Sequence, residues 1–286
     1  MLKVTPDRSG VFGEAMKEWY LLNESTPRLG VENMAADQHF LEQVEAGALD
    51  APLLRLYRWR NPTLSLGYHQ RWADTVSQAA LAEHGIDLVR RWTGGRGVLH
   101  EPDEITYSLI APTREPFKAR VSHNYRLIGI ALERFTQLEG ARGLMSEADD
   151  DVASVRAQRG LPCFASLSQS EIEAKGQKLI GSAQKLGRDA FLQHGSIPMI
   201  HRHKVLAQIT ATTSDVSHKM TGINEFYAHS GQPVPGHTEL CARLISAFCE
   251  AFDISFKPLP TTLPDNDRIA ALVKERFSQD SWTFRK

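Results

Sequence analysis

The spacing of apolar residues along this chain switches between a repeat near 3.6 residues, which forms one face of a helix, and the alternation typical of a strand. The longest helical pattern runs from Val121 to Glu139 and is followed by Gly140, a common C-terminal stop. Further helices are predicted at 33–43, 74–84, 239–252 and 264–277, and strands at 18–22, 53–59, 64–68, 86–89, 98–100, 105–110 and 254–256.

Alternating segments also fill residues 170–199, with interruptions at Lys175-Gly176, Gly187-Arg188 and His194-Gly195. These interruptions predict successive antiparallel strands joined by tight turns. Because strands outnumber helices and arrive in hairpin order, we expect an α+β fold with a mixed, mostly antiparallel sheet packed by helices. One main domain is predicted over residues 16–286, with 200–286 as a small helical C-terminal subdomain and 1–15 as an N-terminal arm.

Composition and charge argue against several classes of partner. The 286 residues contain 33 Lys and Arg against 34 Asp and Glu, for a net charge of -1. This balance gives no general electrostatic case for binding nucleic acid or an anionic membrane, so an acidic partner would have to meet a local basic patch. No apolar run is long enough to span a bilayer and no leader pattern opens the chain, so a cytoplasmic protein is expected.

The three cysteines, Cys163, Cys241 and Cys249, show no CxxC or zinc spacing. A sparse, odd set argues against a disulfide framework and leaves room for one reactive thiol. Cys163 follows a polar stretch, 146–160, that is predicted to be an exposed, mobile loop. A thiol can be reached there, although loop cysteines are more often inert. Cys241 and Cys249 fall in an amphipathic helical pattern and are predicted to be core residues.

A glycine-rich connection, Arg90-Arg91-Trp92-Thr93-Gly94-Gly95-Arg96-Gly97, joins two predicted strands. Its glycines permit positive φ and let backbone N–H groups approach a ligand, while its arginines add fixed positive charge. The connection therefore suits a carboxyl, thioester or phosphate group, and a glycine-rich hairpin with solvated arginines is an equally supported interpretation. It matches neither the Walker loop nor GxGxxG.

Lys178 is a strand lysine that adjoins the small residues Gly181-Ser182-Ala183, a surface that could admit a ligand. A solvated lysine is the commoner outcome for such a pattern. If Lys178 approaches Cys163, its ammonium would lower the pKa of the thiol and stabilise a developing oxyanion, which suits acyl transfer.

Four histidines are candidates for binding a ligand or a metal ion. His100 and His194 each stand at a glycine break beside a strand and could orient a ligand, although such histidines are usually structural. His201 and His203 form an HxH pair with no recognisable third ligand, so no metal site is predicted.

Several stretches together resemble the lipoate-protein ligase and octanoyltransferase family. They are Asn33-Met34-Ala35-Ala36-Asp37, Ser65-Leu66-Gly67-Tyr68-His69-Gln70, the glycine-rich connection through His100, Lys178-Leu179-Ile180-Gly181-Ser182-Ala183-Gln184 and Gln193-His194-Gly195-Ser196-Ile197. The resemblance implies the biotin/lipoate protein ligase fold, with an acyl tunnel between the glycine-rich connection and the lysine strand. It implies substrate-binding roles for Arg91, Thr93, Gly94, Gly95, Arg96, Gly97, His100, Gly181, Ser182, Ala183 and His194.

Within that family, Cys163-Phe164, the chain length and the tail 280–286 resemble the LipM-type octanoyltransferases. These enzymes take octanoate from its acyl-carrier-protein thioester, hold it on a cysteine and pass it to a lysine of a lipoyl domain or of the glycine-cleavage H protein. The resemblance thus implies that residues 16–286 are an acyltransferase catalytic domain that needs no cofactor. Cys163 is then the nucleophile and Lys178 its electrophilic helper.

Three alternatives remain open at this stage. An ATP-dependent lipoate-protein ligase would use ATP and magnesium and the lysine without the cysteine. An amidotransferase between lipoyl domains could use the same cysteine, and a non-catalytic acyl-binding protein would keep the pocket without transfer. Two departures from the family pattern, Ser166-Leu167-Ser168 after Cys-Phe and Lys185 in place of arginine, bear on loop conformation and acyl donor.

Overall fold

The computed structural model describes residues 17–73, 76–141, 143–145, 171–210 and 219–285. The predicted arm at 1–15, the polar loop at 146–160, Cys163 with its neighbours through Ser168, and Asp74 at the predicted start of a helix lie outside the described residues.

In the described part of the chain, the main sheet has eight strands. In spatial order they are β11 (Ser255–Pro258), β1 (Glu18–Asn23), β2 (Leu53–Tyr57), β6 (Ile105–Pro112), β10 (Ala190–Ile197), β9 (Gln177–Leu186), β8 (Ile172–Ala174) and β7 (Leu144–Met145). β2 and β11 run parallel to β1, and all the other neighbours are antiparallel. The predicted α+β fold with a mixed, mostly antiparallel sheet is therefore confirmed.

A second, three-stranded sheet carries the glycine-rich connection. Its central strand β3 (Thr63–Leu66) pairs in parallel with β4 (Asp87–Arg90) and antiparallel with β5 (Val98–His100). The connection from β4 to β5 therefore crosses the end of β3, and a Cβ on Gly67 would lie 1.8 Å from the carbonyl oxygen of Gly95. Glycine is required at position 67 because no side chain fits between these two backbone segments.

Five of the described helices lie close to predicted positions, and three more, at His203–Ile209, Ile223–Ser230 and Asp280–Thr283, were not predicted individually. The described helices are α1 (Gly30–Glu45), α2 (Gln78–Glu83), α3 (Val121–Leu138), α4 (His203–Ile209), α5 (Ile223–Ser230), α6 (His237–Phe252), α7 (Asn266–Leu272) and α8 (Asp280–Thr283), with a π-helical turn at Val273–Phe277. The predicted helix at 264–277 is thus α7 followed by that turn. Within the described ranges, every helix is too short or too polar to span a bilayer.

Alternating residues of the main sheet bury two different cores. Leu54 and Leu109 face a core that is completed by α3 and α6, whereas Leu53 and Ile110 face one completed by α1 and α7. β11 pairs with β1 in the same sheet, so described residues beyond 200 contribute to both cores and to the sheet.

Two sequence predictions about single residues are wrong. His194-Gly195 is not a strand break, because both residues lie inside β10 and pair with β6 and β9. Gly195 is small because a Cβ there would lie 2.5 Å from a ring carbon of Tyr107. Cys241 is buried as expected, but Cys249 is partly exposed and is not a core residue.

Candidate active site

A pocket that is partly open to solvent, with about 370 Å³ of empty space in total, lies where the glycine-rich connection faces β9 and β10. Its lining residues are Met34, Tyr57, Trp59, Ser65, Arg91, Val98, His100, Thr106, Gly181, Ser182, Ala183, His194, Gly195 and Ser196. Six of the predicted substrate-binding residues are therefore brought together: Arg91, His100, Gly181, Ser182, Ala183 and His194. Thr93 touches this set through His194, while Gly94, Gly95, Arg96 and Gly97 lie in the connection outside the lining.

One hydrogen-bonded relay joins the glycine-rich connection to α1. The His194 Nδ1 atom lies 3.0 Å from Asp37 Oδ2, and its Nε2 lies 2.7 Å from Thr93 Oγ1. Burial lowers the pKa of His194 below its ordinary value despite the neighbouring carboxylate, so the ring is neutral at pH 7. Nδ1 then donates to Asp37, and Nε2 accepts from the Thr93 hydroxyl. We call Asp37, His194 and Thr93 the first relay.

The carboxylate of the first relay is held by a buried ion pair. Burial alone would raise the pKa of Asp37, but the hydrogen bond from His194 and the charge of Arg55 together lower it. Arg55 Nη1 donates to Asp37 Oδ1 over 2.7 Å, and Ser108 donates to the same oxygen over 2.8 Å. Asp37 is therefore an anion that fixes which nitrogen of His194 carries the proton.

A second relay has the same order of groups. His100 Nδ1 lies 2.7 Å from Glu104 Oε1, and His100 Nε2 lies 2.8 Å from Ser65 Oγ. The His100 ring also stacks on Trp59, with 4.0 Å between ring centroids. Glu104 further accepts from Thr106 and from Ser196, whose bonds are 2.5 and 2.8 Å long. We call Glu104, His100 and Ser65 the second relay.

Both relays end on Arg91. Its Nε donates to Thr93 Oγ1 over 3.1 Å, and its Nη1 donates to the oxygens of Ser65 over 2.8 and 3.2 Å. Its Nη2 donates to the carbonyls of Gly94 and Arg96. A guanidinium has five N–H donors, and each has a protein acceptor here. Arg91 therefore joins the two relays into one hydrogen-bond network, in which every donor of Arg91 is satisfied. We call Arg91 and the two relays the pocket wall.

Arg90, unlike Arg91, binds backbone carbonyls of the turn after β3 and of the C-terminal segment. It donates to the carbonyls of Gly67 and Gln70, each over 2.7 Å, and to the carbonyl of Thr283 over 2.9 Å. Trp282 returns a bond from Nε1 to the Arg90 carbonyl over 2.9 Å. Burial, together with nearby arginines, lowers the pKa of Arg90 to about 10. The interpretation of solvated arginines is thus wrong for both Arg90 and Arg91, because both side chains are buried.

Lys178 lies at the start of β9, three residues before the small-residue surface of the pocket. Its side chain is fully buried and forms an ion pair with Glu171, which is also buried. The alternative of a solvated strand lysine is therefore wrong. Cys163 lies outside the described residues, so the predicted approach of Lys178 to Cys163 stays a prediction.

Four carboxylate or hydroxyl residues of the site carried no predicted role: Asp37, Ser65, Glu104 and Glu171. Asp37 had a signal, since it falls on the same face of α1 as Met34 and Phe40, and an acidic residue on a buried helix face needs a partner. The other three pair with residues that no periodicity connects to them. Within the described ranges, no group of three potential metal ligands occurs, and His201 and His203 have no third partner of that kind.

Comparisons with known proteins bear on the family and the fold. Residues 30–249 match the family model of the lipoyl protein ligase A/B catalytic domain. The chain is 32% identical over 280 residues to the octanoyltransferase LipM of Exiguobacterium sp. This alignment covers 94% of this chain and 98% of that relative.

Two solved structures share the fold at low sequence identity. A lipoate-protein ligase A bound with ATP superposes with a TM-score of 0.77 at 20% identity, over 93% of this chain and 98% of that one. A bi-partite lipoate protein ligase from Thermoplasma acidophilum, described together with its E2 lipoyl domain, superposes with a TM-score of 0.74 at 18% identity. The superposition covers 94% of this chain and 97% of that one. The fold predicted from the motifs is thereby confirmed.

Proposed function

Because this chain belongs to the lipoyl protein ligase A/B catalytic domain family, we propose that it transfers octanoyl groups from octanoyl-acyl carrier protein to a lysine of a lipoyl domain or of the glycine-cleavage H protein. The transfer passes through a thioester on Cys163. Octanoyl transfer is supported by full-length relatives named octanoyltransferase LipM, and the lipoyl-domain acceptor by the archaeal ligase described with its E2 lipoyl domain.

The observation that carries the proposal is a buried lysine on the strand that also lines a partly open pocket. Lys178 and the pocket surface Gly181–Ala183 belong to one rigid strand, β9. An alkyl chain can occupy the pocket because Arg91 and the two relays leave their donors satisfied, so hydrocarbon displaces no needed hydrogen bond. Lys178 is then held at a fixed distance from the acyl carbonyl by the strand itself.

The chemistry proceeds in two balanced steps. The Cys163 thiolate attacks the carrier thioester, the carrier thiolate leaves, and the octanoyl group becomes a thioester of Cys163. The neutral acceptor amine then attacks this thioester, loses a proton to solvent and releases the cysteine thiolate. In both steps Lys178 stabilises the charge that develops on the carbonyl oxygen, for which it exchanges its contact with Glu171.

No cofactor is part of the proposal, because the thioester already carries an activated acyl group and its conversion to an amide is downhill. A cytoplasmic location completes it, supported by cysteines that are few and show no disulfide framework.

Intact-protein mass spectrometry tests the proposal. Wild-type protein incubated with octanoyl-acyl carrier protein, without nucleotide, is expected to gain a hydroxylamine-labile octanoyl adduct that Cys163→Ser does not form. Cys249→Ser is the matched control, since it removes a partly exposed cysteine of α6 and should keep the adduct. No adduct, together with acceptor modification only from free octanoate plus ATP and magnesium, would contradict the proposal and place the chain among the ligases.

A further inference from the structure

Three cations and three aromatic rings alternate around a closed cluster beside the pocket. Its members, in order around the cluster, are Lys185, Tyr68, Arg285, Trp282, Arg276 and Trp92. Each cation lies over two of the rings and each ring lies under two of the cations, at 4.1 to 5.9 Å from the ring centroids. All six side chains are half-buried. We call this set the cationic cluster.

The cationic cluster concentrates positive charge. Any two of its cations lie over the same ring. The distance between two cations therefore cannot exceed the sum of their distances to the centroid of that ring, which is about 10 Å. The negative ring faces hold the cations in place but leave their net charge. Arg285, followed by Lys185 and Arg276, also lowers the pKa of Tyr68, as a positive local field should.

Carboxylates do not neutralise this charge within the part of the chain that the structure describes. No carboxylate there lies within ion-pair distance of Lys185, Arg276 or Arg285, and Arg276 instead donates to the amide oxygen of Gln38 over 2.7 Å. Glu275, the sequence neighbour of Arg276, pairs with Arg268. The overall charge of the chain is near zero, so the excess is local.

The cationic cluster adjoins the pocket through two chain segments. Trp92 directly follows Arg91, which lines the pocket, and Lys185 lies two residues along β9 from Ala183, which also lines it. Residues two apart on a strand point to the same face, so Lys185 and Ala183 share a side of β9. An anion bound at the cluster is therefore next to a ligand in the pocket.

We propose that the cationic cluster binds the phosphate group of the pantetheine arm that delivers the acyl thioester to the pocket. This inference rests on the proposed function for the identity of the donor. The acceptor brings a lysine, whose own positive charge the cluster repels. The donor arm brings a phosphate, for which converging Lys and Arg side chains are the favoured partners.

Two small donors that differ only in the phosphate test the site: octanoyl-4′-phosphopantetheine and octanoyl-pantetheine. For the wild type, the KM of the phosphorylated donor is expected to be about tenfold lower, as for loss of one charged hydrogen bond. Lys185→Met and Arg285→Met should each remove most of that difference by raising only the KM of the phosphorylated donor. Lys185→Arg should keep it, and so should Arg188→Met, which removes an exposed cation from the turn after β9.

Equal KM values for the two donors in the wild type, or equal changes for both in Lys185→Met, would overturn the inference. The inference is also overturned if the variants raise the KM of the intact acyl carrier protein but not that of octanoyl-4′-phosphopantetheine. The cluster would then bind acidic side chains of the carrier protein and not the phosphate. Calorimetry with unacylated phosphopantetheine and pantetheine needs no transfer. If no donor supports catalysis, the proposed function fails, while tighter binding of phosphopantetheine, lost in Lys185→Met, would still establish the phosphate site.

Discussion

The Lys178 end of β9 and the pocket wall handle buried charge in different ways. At Lys178, one ammonium meets the carboxylate of Glu171 directly. On the pocket wall, two carboxylates reach Arg91 only through an imidazole and a hydroxyl each. In a direct ion pair, the ammonium can exchange its carboxylate for another anion, such as an oxyanion. In the network, a partner cannot be exchanged without leaving other buried groups without a hydrogen bond. On this difference we base the proposal that Lys178 acts in the reaction and that the wall retains the acyl chain.

Asp37→Ala is expected to have the largest effect, because it removes the buried carboxylate at the start of the first relay. The change deprives buried Arg55 and His194 of their shared acceptor, although Arg55 keeps its pair with Glu24. We therefore expect a loss of about 3 kcal/mol in the free energy of unfolding, the lower end of the range for breaking a buried ion pair. Urea unfolding measures it. Glu42→Ala is the matched control from the same helix, whose partly exposed pair with Arg268 should cost below about 1 kcal/mol. Equal losses in the two variants would contradict this role of Asp37.

Lys178→Met is expected to lower the rate of octanoyl transfer by about 100- to 1,000-fold, the effect of removing one oxyanion-stabilising group. Single-turnover transfer to a lipoyl domain measures it. Lys175→Met, which changes an exposed lysine in the turn before β9, should leave the rate unchanged. A loss below tenfold in Lys178→Met would show that the Glu171 pair is structural only.

The pH dependence of stability tests whether His194 is buried as a neutral ring. His194 has a lowered pKa in the folded protein and an ordinary pKa near 6.5 when unfolded. The unfolded state therefore binds more protons as pH falls below about 6.5, and the stability contributed by neutral His194 is lost between that pH and the lowered pKa. The wild type should lose up to about 1.4 kcal/mol per pH unit more than His194→Gln between pH 6.5 and 5. Parallel pH profiles would mean that His194 is not buried as a neutral ring.

Trp282→Phe is expected to have the smallest effect, because it removes one bond at the edge of the network. The indole Nε1 donates to the Arg90 carbonyl, while Arg90 keeps its own bonds to the carbonyls of the tail. The loss in the free energy of unfolding should be about 1 kcal/mol, as for one hydrogen bond. Thermal unfolding measures it, and a loss as large as that of Asp37→Ala would show that the tail is part of the wall.

The sequence could predict the elements and much of the pocket, but not its pairings. The regular apolar spacing located α3 and every described strand except β7, and the motifs brought Arg91, His100 and His194 to one site. The break predicted at His194-Gly195 failed because the glycine leaves room for the ring of Tyr107 on the neighbouring strand β6, which is distant only in sequence. Glu171 and Glu104 could not be assigned, since a carboxylate's partner depends on tertiary packing that local periodicity does not contain.

The division between the wall and Lys178 is tested most directly by comparing kcat and KM for octanoyl-acyl carrier protein in Thr93→Val and Lys178→Met. Thr93→Val keeps the side-chain shape but removes the hydroxyl between His194 and Arg91. The account predicts a KM raised about tenfold at nearly constant kcat in Thr93→Val, restored in Thr93→Ser, and a lowered kcat in Lys178→Met. A fall in kcat alone for both variants would contradict it, because the wall would then act in the chemical step and not in holding the acyl chain.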